Sequence, residues 1–129
     1  MTANTSHFDK VGGDQGVRKL VDRFYDLMNE REDVQVLRNL HAKSLKASRD
    51  KLYLFLSGWL GGPDLYIQKF GHPRLRQRHL PFKITSSERD QWVSCMNQAL
   101  DEQVDDTMLR DSLKQSFFKV ADHMRNTQD

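Results

Sequence analysis

The chain has 129 residues, of which 37% are hydrophobic and 29% charged, and 20 basic against 18 acidic side chains leave a formal charge of +2. That length suits one domain, and no apolar run nears the ~18 residues that a membrane span needs. The near-neutral balance does not mark a nucleic-acid binder, and a lone cysteine, Cys95, excludes both a disulfide framework and a cysteine-ligated zinc site.

Residues 1–7 lack the basic start and apolar stretch of a signal peptide, so a cytoplasmic protein is expected. They and residues 126–129 read as flexible tails of a single domain over 1–129. Gly12-Gly13-Asp14 is a turn, and Val17, Leu20, Val21, Phe24, Leu27 and Met28 follow on one helical stripe with Tyr25 beside it. Val34 to Leu40 predicts a short second helix. From Ser44, the positions Leu45, Leu52, Phe55, Leu56 and Trp59 form another stripe, stopped by Gly61-Gly62-Pro63.

Residues 63–81 are irregular. Gly71-His72-Pro73 and Leu80-Pro81 bracket a helix of about two turns, with Pro73 in its first turn. A short, proline-bounded, basic helix positions something more readily than it fills a core. Thr85 and Glu88 have the spacing of a capping box, and Trp92, Val93, Met96, Leu100 and Val104 continue that helix. The last helix starts at Asp105-Asp106 and turns Leu109, Leu113, Phe117, Val120 and Met124 inward. No segment combines alternation, β-branched enrichment and hairpin turns, so the class is all-α.

Five histidines carry most of the candidate chemistry. His7 falls in the N-terminal tail, His123 reads as solvated near a helix end, and His72 reads as a turn residue. His41 ends the second helix and can cap it. His79 closes the short 73–81 helix between Leu75 and Phe82, a placement that fits either a core histidine or an axial metal ligand. No His-Glu-x-x-His, paired carboxylate site or phosphate-binding glycine loop occurs. Cys95 lies on an amphipathic helix and reads as a buried thiol.

Lys69, Arg74, Arg76 and Arg78 place four positive charges between residues 69 and 79. Such a run meets phosphates, forms a solvated face, or receives an anionic cofactor beside His79. The first reading gives an alternative function, a small helical nucleic-acid-binding module using residues 69–78.

Gly12-Gly13, Phe24-Tyr25, Gly61-Gly62-Pro63, the run from Gly71 to Phe82, and Glu88-Arg89-Asp90-Gln91-Trp92 occur in this order. The set resembles the truncated haemoglobins of the second group, over residues 8–125. The resemblance implies a two-over-two helical sandwich around one haem b with iron ligated by His79. It places Arg78 and Lys51 toward the haem propionates. Leu75, Phe82, Phe55, Met96 and Phe117 are expected to pack on the haem. On the distal side it implies Tyr25 and Trp92 as donors to a bound ligand, Ser48 and Leu52 on the distal helix, and His41 at the corner. It leaves open whether Tyr25 or His41 reaches the iron in the resting state.

The expected activity is reversible binding of dioxygen and other diatomic ligands, tight and slowly released. Tyr25 donates through O–H, Trp92 through N–H, and His41 through one ring nitrogen. Scavenging, sensing or redox chemistry fits this better than bulk transport. Peroxidase-like turnover and detoxification of nitric oxide or peroxynitrite are within the family's range. These 129 residues hold no reductase segment, so an external electron donor is expected. No exposed heptad argues for an oligomer, which makes a monomer the expectation.

Overall fold

The computed structural model describes residues 6–129. Its helices are α1 (His7–Lys10), α2 (Gly13–Glu30), α3 (Gln35–Arg38), α4 (Lys46–Trp59), α5 (Leu65–Phe70), α6 (Leu75–His79), α7 (Ser86–Gln103) and α8 (Thr107–His123). No strand occurs among the described residues. A 3₁₀ turn over Glu32–Val34 leads into α3.

Helix α2 buries the stripe read from its sequence: Val17, Leu20, Val21, Phe24, Tyr25, Leu27 and Met28. It packs against α7 on one side and α4 on the other, while α7 also packs along α8. Two helix pairs therefore face each other around a core that includes Leu56, Met96, Leu100, Leu113 and Phe117. Helix α7 begins with the expected capping box: Thr85 accepts from Ser87 N–H, and Glu88 accepts from Thr85 N–H at 3.0 Å. Asp106 caps α8 by accepting from Leu109 N–H at 3.1 Å.

Helix α4 behaves differently. Only Leu56 and Ser57 of its residues are buried, and Leu52, Phe55 and Trp59 are half covered. Helix α6 makes no extended packing against another helix. Apolar side chains on α4 are thus left incompletely covered near a short helix that stands off the body.

Three local expectations change. The irregular stretch contains an additional helix, α5, whose Tyr66 is buried and stacks on Phe70 at 5.0 Å. Pro73 lies before α6 rather than in its first turn, because Arg74 takes a left-handed conformation (φ 46) and restarts the chain direction there. At the termini, His7 starts α1 under a Ser6 cap. Residues 126–129 are tied by Asn126 and by Asp129, which accepts from Ser86 N–H at 2.9 Å. Residues 1–5 of the expected N-terminal tail lie outside the described residues.

The α1–α2 junction folds tightly enough that Gly16 is needed for its missing side chain. A Cβ there would sit 1.9 Å from the Val11 carbonyl oxygen. At an open helical position Gly→Ala stabilises by about 1 kcal/mol. Gly16→Ala is expected to reverse that sign and lower stability by roughly 1–3 kcal/mol through overpacking, measured by chemical denaturation of the holoprotein.

Candidate functional site

Helix α6 carries His79 at its end. The His79 Nδ1 lies 2.6 Å from the Leu75 carbonyl oxygen one turn earlier. A carbonyl only accepts, so Nδ1 holds the proton and Nε2 keeps a free lone pair. That tautomer, with its ring fixed by a backbone acceptor, is the one a metal-ligating histidine requires.

His41 repeats the device. Its Nδ1 lies 3.0 Å from the Leu37 carbonyl, which also satisfies the end of α3. The ring donor is thereby committed, and Nε2 of neutral His41 can only accept. This corrects the expectation that neutral His41 donates to a ligand. Burial is the main cause lowering the His41 pKa; the Leu37 hydrogen bond opposes it, and the positive charge of Arg38 adds to the depression.

Tyr25 lies beside His41, with ring centroids 6.0 Å apart in an edge-on arrangement. Phe24 packs at 4.9 Å from Tyr25 and 5.0 Å from Trp92, so one buried ring spaces the two aromatic donors. Tyr25 is 6% exposed, and its hydroxyl has no hydrogen bond among the described residues. Burial pushes its pKa up, with Arg49 opposing, so the phenol stays protonated. The Trp92 indole N–H likewise finds no protein acceptor there.

The other expected residues divide by exposure. Ser48, Leu52, Phe55 and Leu75 are half-buried, whereas Phe82 is 44% exposed. Met96 and Phe117 are 0% and 1% exposed. Their surface is already used by protein neighbours, Trp59 and Trp92 for Phe117, so they back the wall. Lys51 and Arg78 are exposed and form no ion pair among the described residues. The Lys51 ammonium stands 5.8 Å over the Phe70 ring.

A cavity of about 740 Å³ opens between α6, α8 and Phe55, and Leu75, Pro73, Val120 and Met124 line it. That volume is within the range of cofactor pockets. It meets Phe55 and Leu75 of the expected set but is not lined by His79, Arg78, Tyr25, His41, Trp92 or Lys51. Tyr25, His41 and Trp92 form a separate cluster around Phe24.

Comparison with known proteins places this architecture. The bacterial-like globin family matches residues 6–126. The chain belongs to the bacterial-like globins, within the group II truncated haemoglobins. It is 37% identical over 114 residues to the group 2 truncated hemoglobin YjbI of Bacillus subtilis, covering 88% of this chain and 84% of that one. The cold-adapted truncated hemoglobin of Pseudoalteromonas haloplanktis TAC125 superposes with a TM-score of 0.94 at 46% identity, over 95% of this chain and 99% of that chain. The group II 2-on-2 hemoglobin of Agrobacterium tumefaciens gives 0.95 at 38% identity, over 99% and 98%.

The cofactor of this globin is haem iron, and the fold is the two-over-two globin fold. The residues fit the group on three observations of this chain: the His79 tautomer, the Tyr25 phenol with no protein acceptor, and the half-covered apolar side chains of Leu52, Phe55 and Leu75. The nucleic-acid alternative finds no support. Its basic segment is broken into the end of α5, a loop and a five-residue α6, which offers no continuous cationic face.

Two residues around the site carry no sequence signal. Asn126 donates to the carbonyls of His79 (3.1 Å) and Phe82 (2.8 Å) and accepts from Ile84 N–H at 3.0 Å. Arg76 donates to the carbonyls of His123 and Arg125, both at 2.6 Å. These bonds span more than 40 positions and follow no helical period, so no local pattern announces them. Asn126→Ala removes its three bonds and a fourth accepted from the Thr127 hydroxyl at 2.8 Å, worth about 1 kcal/mol each. It is expected to raise the rate of haem transfer to a scavenging apoglobin by at least tenfold, with far-ultraviolet dichroism largely unchanged.

Proposed function

We propose that this globin reversibly binds dioxygen and other diatomic ligands at haem iron held by His79, with tight binding and slow release. Held by His79, the haem would supply the ferrous iron that binds such a ligand. Tyr25 carries the reading: a buried, protonated phenol with no protein acceptor, beside His41, is the donor to a bound ligand. Trp92, spaced from it by Phe24, supplies the second donor. Each bond in a dry pocket contributes about 1 kcal/mol, and more to an acceptor that gains charge.

Other residues take supporting parts in this reading. Arg78 and Lys51, exposed and without carboxylate partners among the described residues, meet the two propionates. Phe55, Leu75 and Leu52 offer half-covered apolar surface to the ring, and Phe82 contacts its rim. Ser48, small and half-buried on α4, leaves room on the distal side. The slow release expected from two donors suits scavenging or redox chemistry on oxygen, nitric oxide or peroxide better than bulk transport. Sustained turnover of that kind draws electrons from an external donor.

Tyr25→Phe and Trp92→Phe should each speed oxygen release by roughly 5–10-fold, since 1.36 kcal/mol is tenfold. Stopped-flow release no faster than wild type in both variants would overturn the reading. His79→Ala should abolish the Soret band of protein purified with haem.

His41 adds a pH dependence with a defined sign. Its native pKa lies below the ordinary imidazole value of about 6.5, chiefly through burial. The ring is neutral at pH 7, and Nε2 accepts. Release should stay flat above about pH 6.5 and slow only as the pH falls through the lowered native value, where Nε2 gains a proton and donates. For stability, the unfolded chain binds more protons than the native one between those two values. The His41 contribution is therefore fully present above about pH 6.5 and is lost as the pH falls through the native value. His41→Leu should flatten both profiles, read by stopped flow and by urea midpoints between pH 5 and 8.

A further inference from the structure

The basic segment noted in the sequence is only partly used by the site. From Leu65 to Ser87 the chain carries five Lys and Arg residues and none of its 18 carboxylates, so the remainder of the molecule is net negative. Elsewhere cations and carboxylates are intermixed and about half of the cations pair with a carboxylate, Arg23 with Glu102, Arg49 with Asp22 and Asp26, Arg89 with Asp122, and Lys114 with Asp101. In this segment Lys69, Arg74, Arg78 and Lys83 are exposed, and none pairs with a carboxylate among the described residues. Arg76 alone is engaged, and by backbone carbonyls rather than by a charge.

The same surface exposes large apolar groups. Phe70 is 40%, Phe82 44% and Leu80 56% exposed, flanking the helix that ends in His79. The ammonium groups of Lys51 and Lys69 stand 5.8 and 5.5 Å from the Phe70 ring, so cation and apolar surface are interleaved. An apolar centre inside a charged rim is the anatomy of a protein interface. A phosphate backbone would leave the apolar groups without a partner. A five-residue helix with cations on either side lacks the single apolar face that lies in a bilayer.

We propose that this face docks an acidic one-electron carrier protein, which delivers its electron to the haem beside α6. The proposal rests on the haem reading above, and it names the external donor's surface chemistry. One electron passes from the reduced carrier to ferric haem; no bond is made or broken and no proton is needed. Lys69 and Lys83 steer the encounter and lie outside the residues assigned to the haem, while Phe70 and Leu80 supply the contact. Steering by unpaired charge accelerates encounter and fades as salt rises.

The test uses ferric holoprotein under carbon monoxide, reduced either by reduced flavodoxin, an acidic carrier, or by dithionite. In low salt, Lys69→Glu/Lys83→Glu should slow reduction by flavodoxin at least tenfold while dithionite reduction changes less than twofold. Lys10→Glu/Lys19→Glu, an equal charge change away from the segment, should slow it less than twofold. Amide shifts on adding oxidised flavodoxin to wild-type holoprotein should concentrate in residues 65–87 and vanish at high salt. Equal slowing in both double variants, salt-insensitive reduction, or shifts spread over other helices would overturn the proposal. So would tighter binding at physiological salt to a single-stranded DNA 20-mer or to phosphatidylglycerol vesicles than to flavodoxin. If dithionite-reduced protein forms no carbon monoxide complex, the haem reading fails; if it forms one and only the flavodoxin arm fails, docking alone is lost.

Discussion

Everything chemical in this molecule depends on where α6 is held. A helix of five residues cannot stabilise itself, since nucleation costs more than one turn of hydrogen bonds returns. Nor does it pack broadly on another helix. What fixes it is a set of side-chain bonds to backbone carbonyls, Asn126 to His79 and Phe82, and Arg76 to His123 and Arg125. The end of α8 thus sets the height of the His79 ring above the body. Directional bonds suit this task better than apolar packing, because they fix position without filling the space between α6 and Phe55.

That arrangement explains the thin core. With 37% hydrophobic residues the chain packs α2, α7 and α8 tightly, leaving α4 with half-covered Leu52, Phe55 and Trp59. Apolar surface of this kind is a cost in isolation and a gain once a flat apolar group lies against it. Haem then contributes burial as well as chemistry, and binding to the native state alone stabilises that state by mass action. The segment that supports the site gains little from packing of its own, which is why cofactor and fold are energetically coupled here.

Much of this was legible in the sequence, for a physical reason. Helical stripes are local, so Val17 to Met28 and Leu109 to Met124 declared their buried faces, as Thr85 and Glu88 declared a cap. The family resemblance rested on residues clustered around α6 and the start of α7. What stayed hidden was set by contacts distant along the chain. Asn126 read as part of a polar tail, although it closes the α6 end. Helix α5 was missed because six residues carry too little periodicity. The exposure of Met96 and Phe117 depended on packing against other helices, which one stripe cannot report.

The two histidines show how one local device serves opposite ends of the site. Each donates Nδ1–H to the carbonyl four residues earlier, Leu75 for His79 and Leu37 for His41. In each case the side-chain bond reaches a carbonyl one turn back, Leu37 also accepting from Leu40 N–H at 3.1 Å, and fixes the ring's tautomer in one bond. At His79 the freed Nε2 lone pair suits a metal. At His41 the same bond leaves the neutral ring an acceptor, and in the proposed reading Tyr25 and Trp92 are the donors. Leu37 is itself anchored, since its N–H donates to Gln91 at 3.0 Å, one residue before Trp92. The helix that presents the indole therefore also positions the carbonyl that sets the imidazole. Donor and acceptor on the distal side are held in register by one side chain of α7, rather than by separate adjustments of three loops.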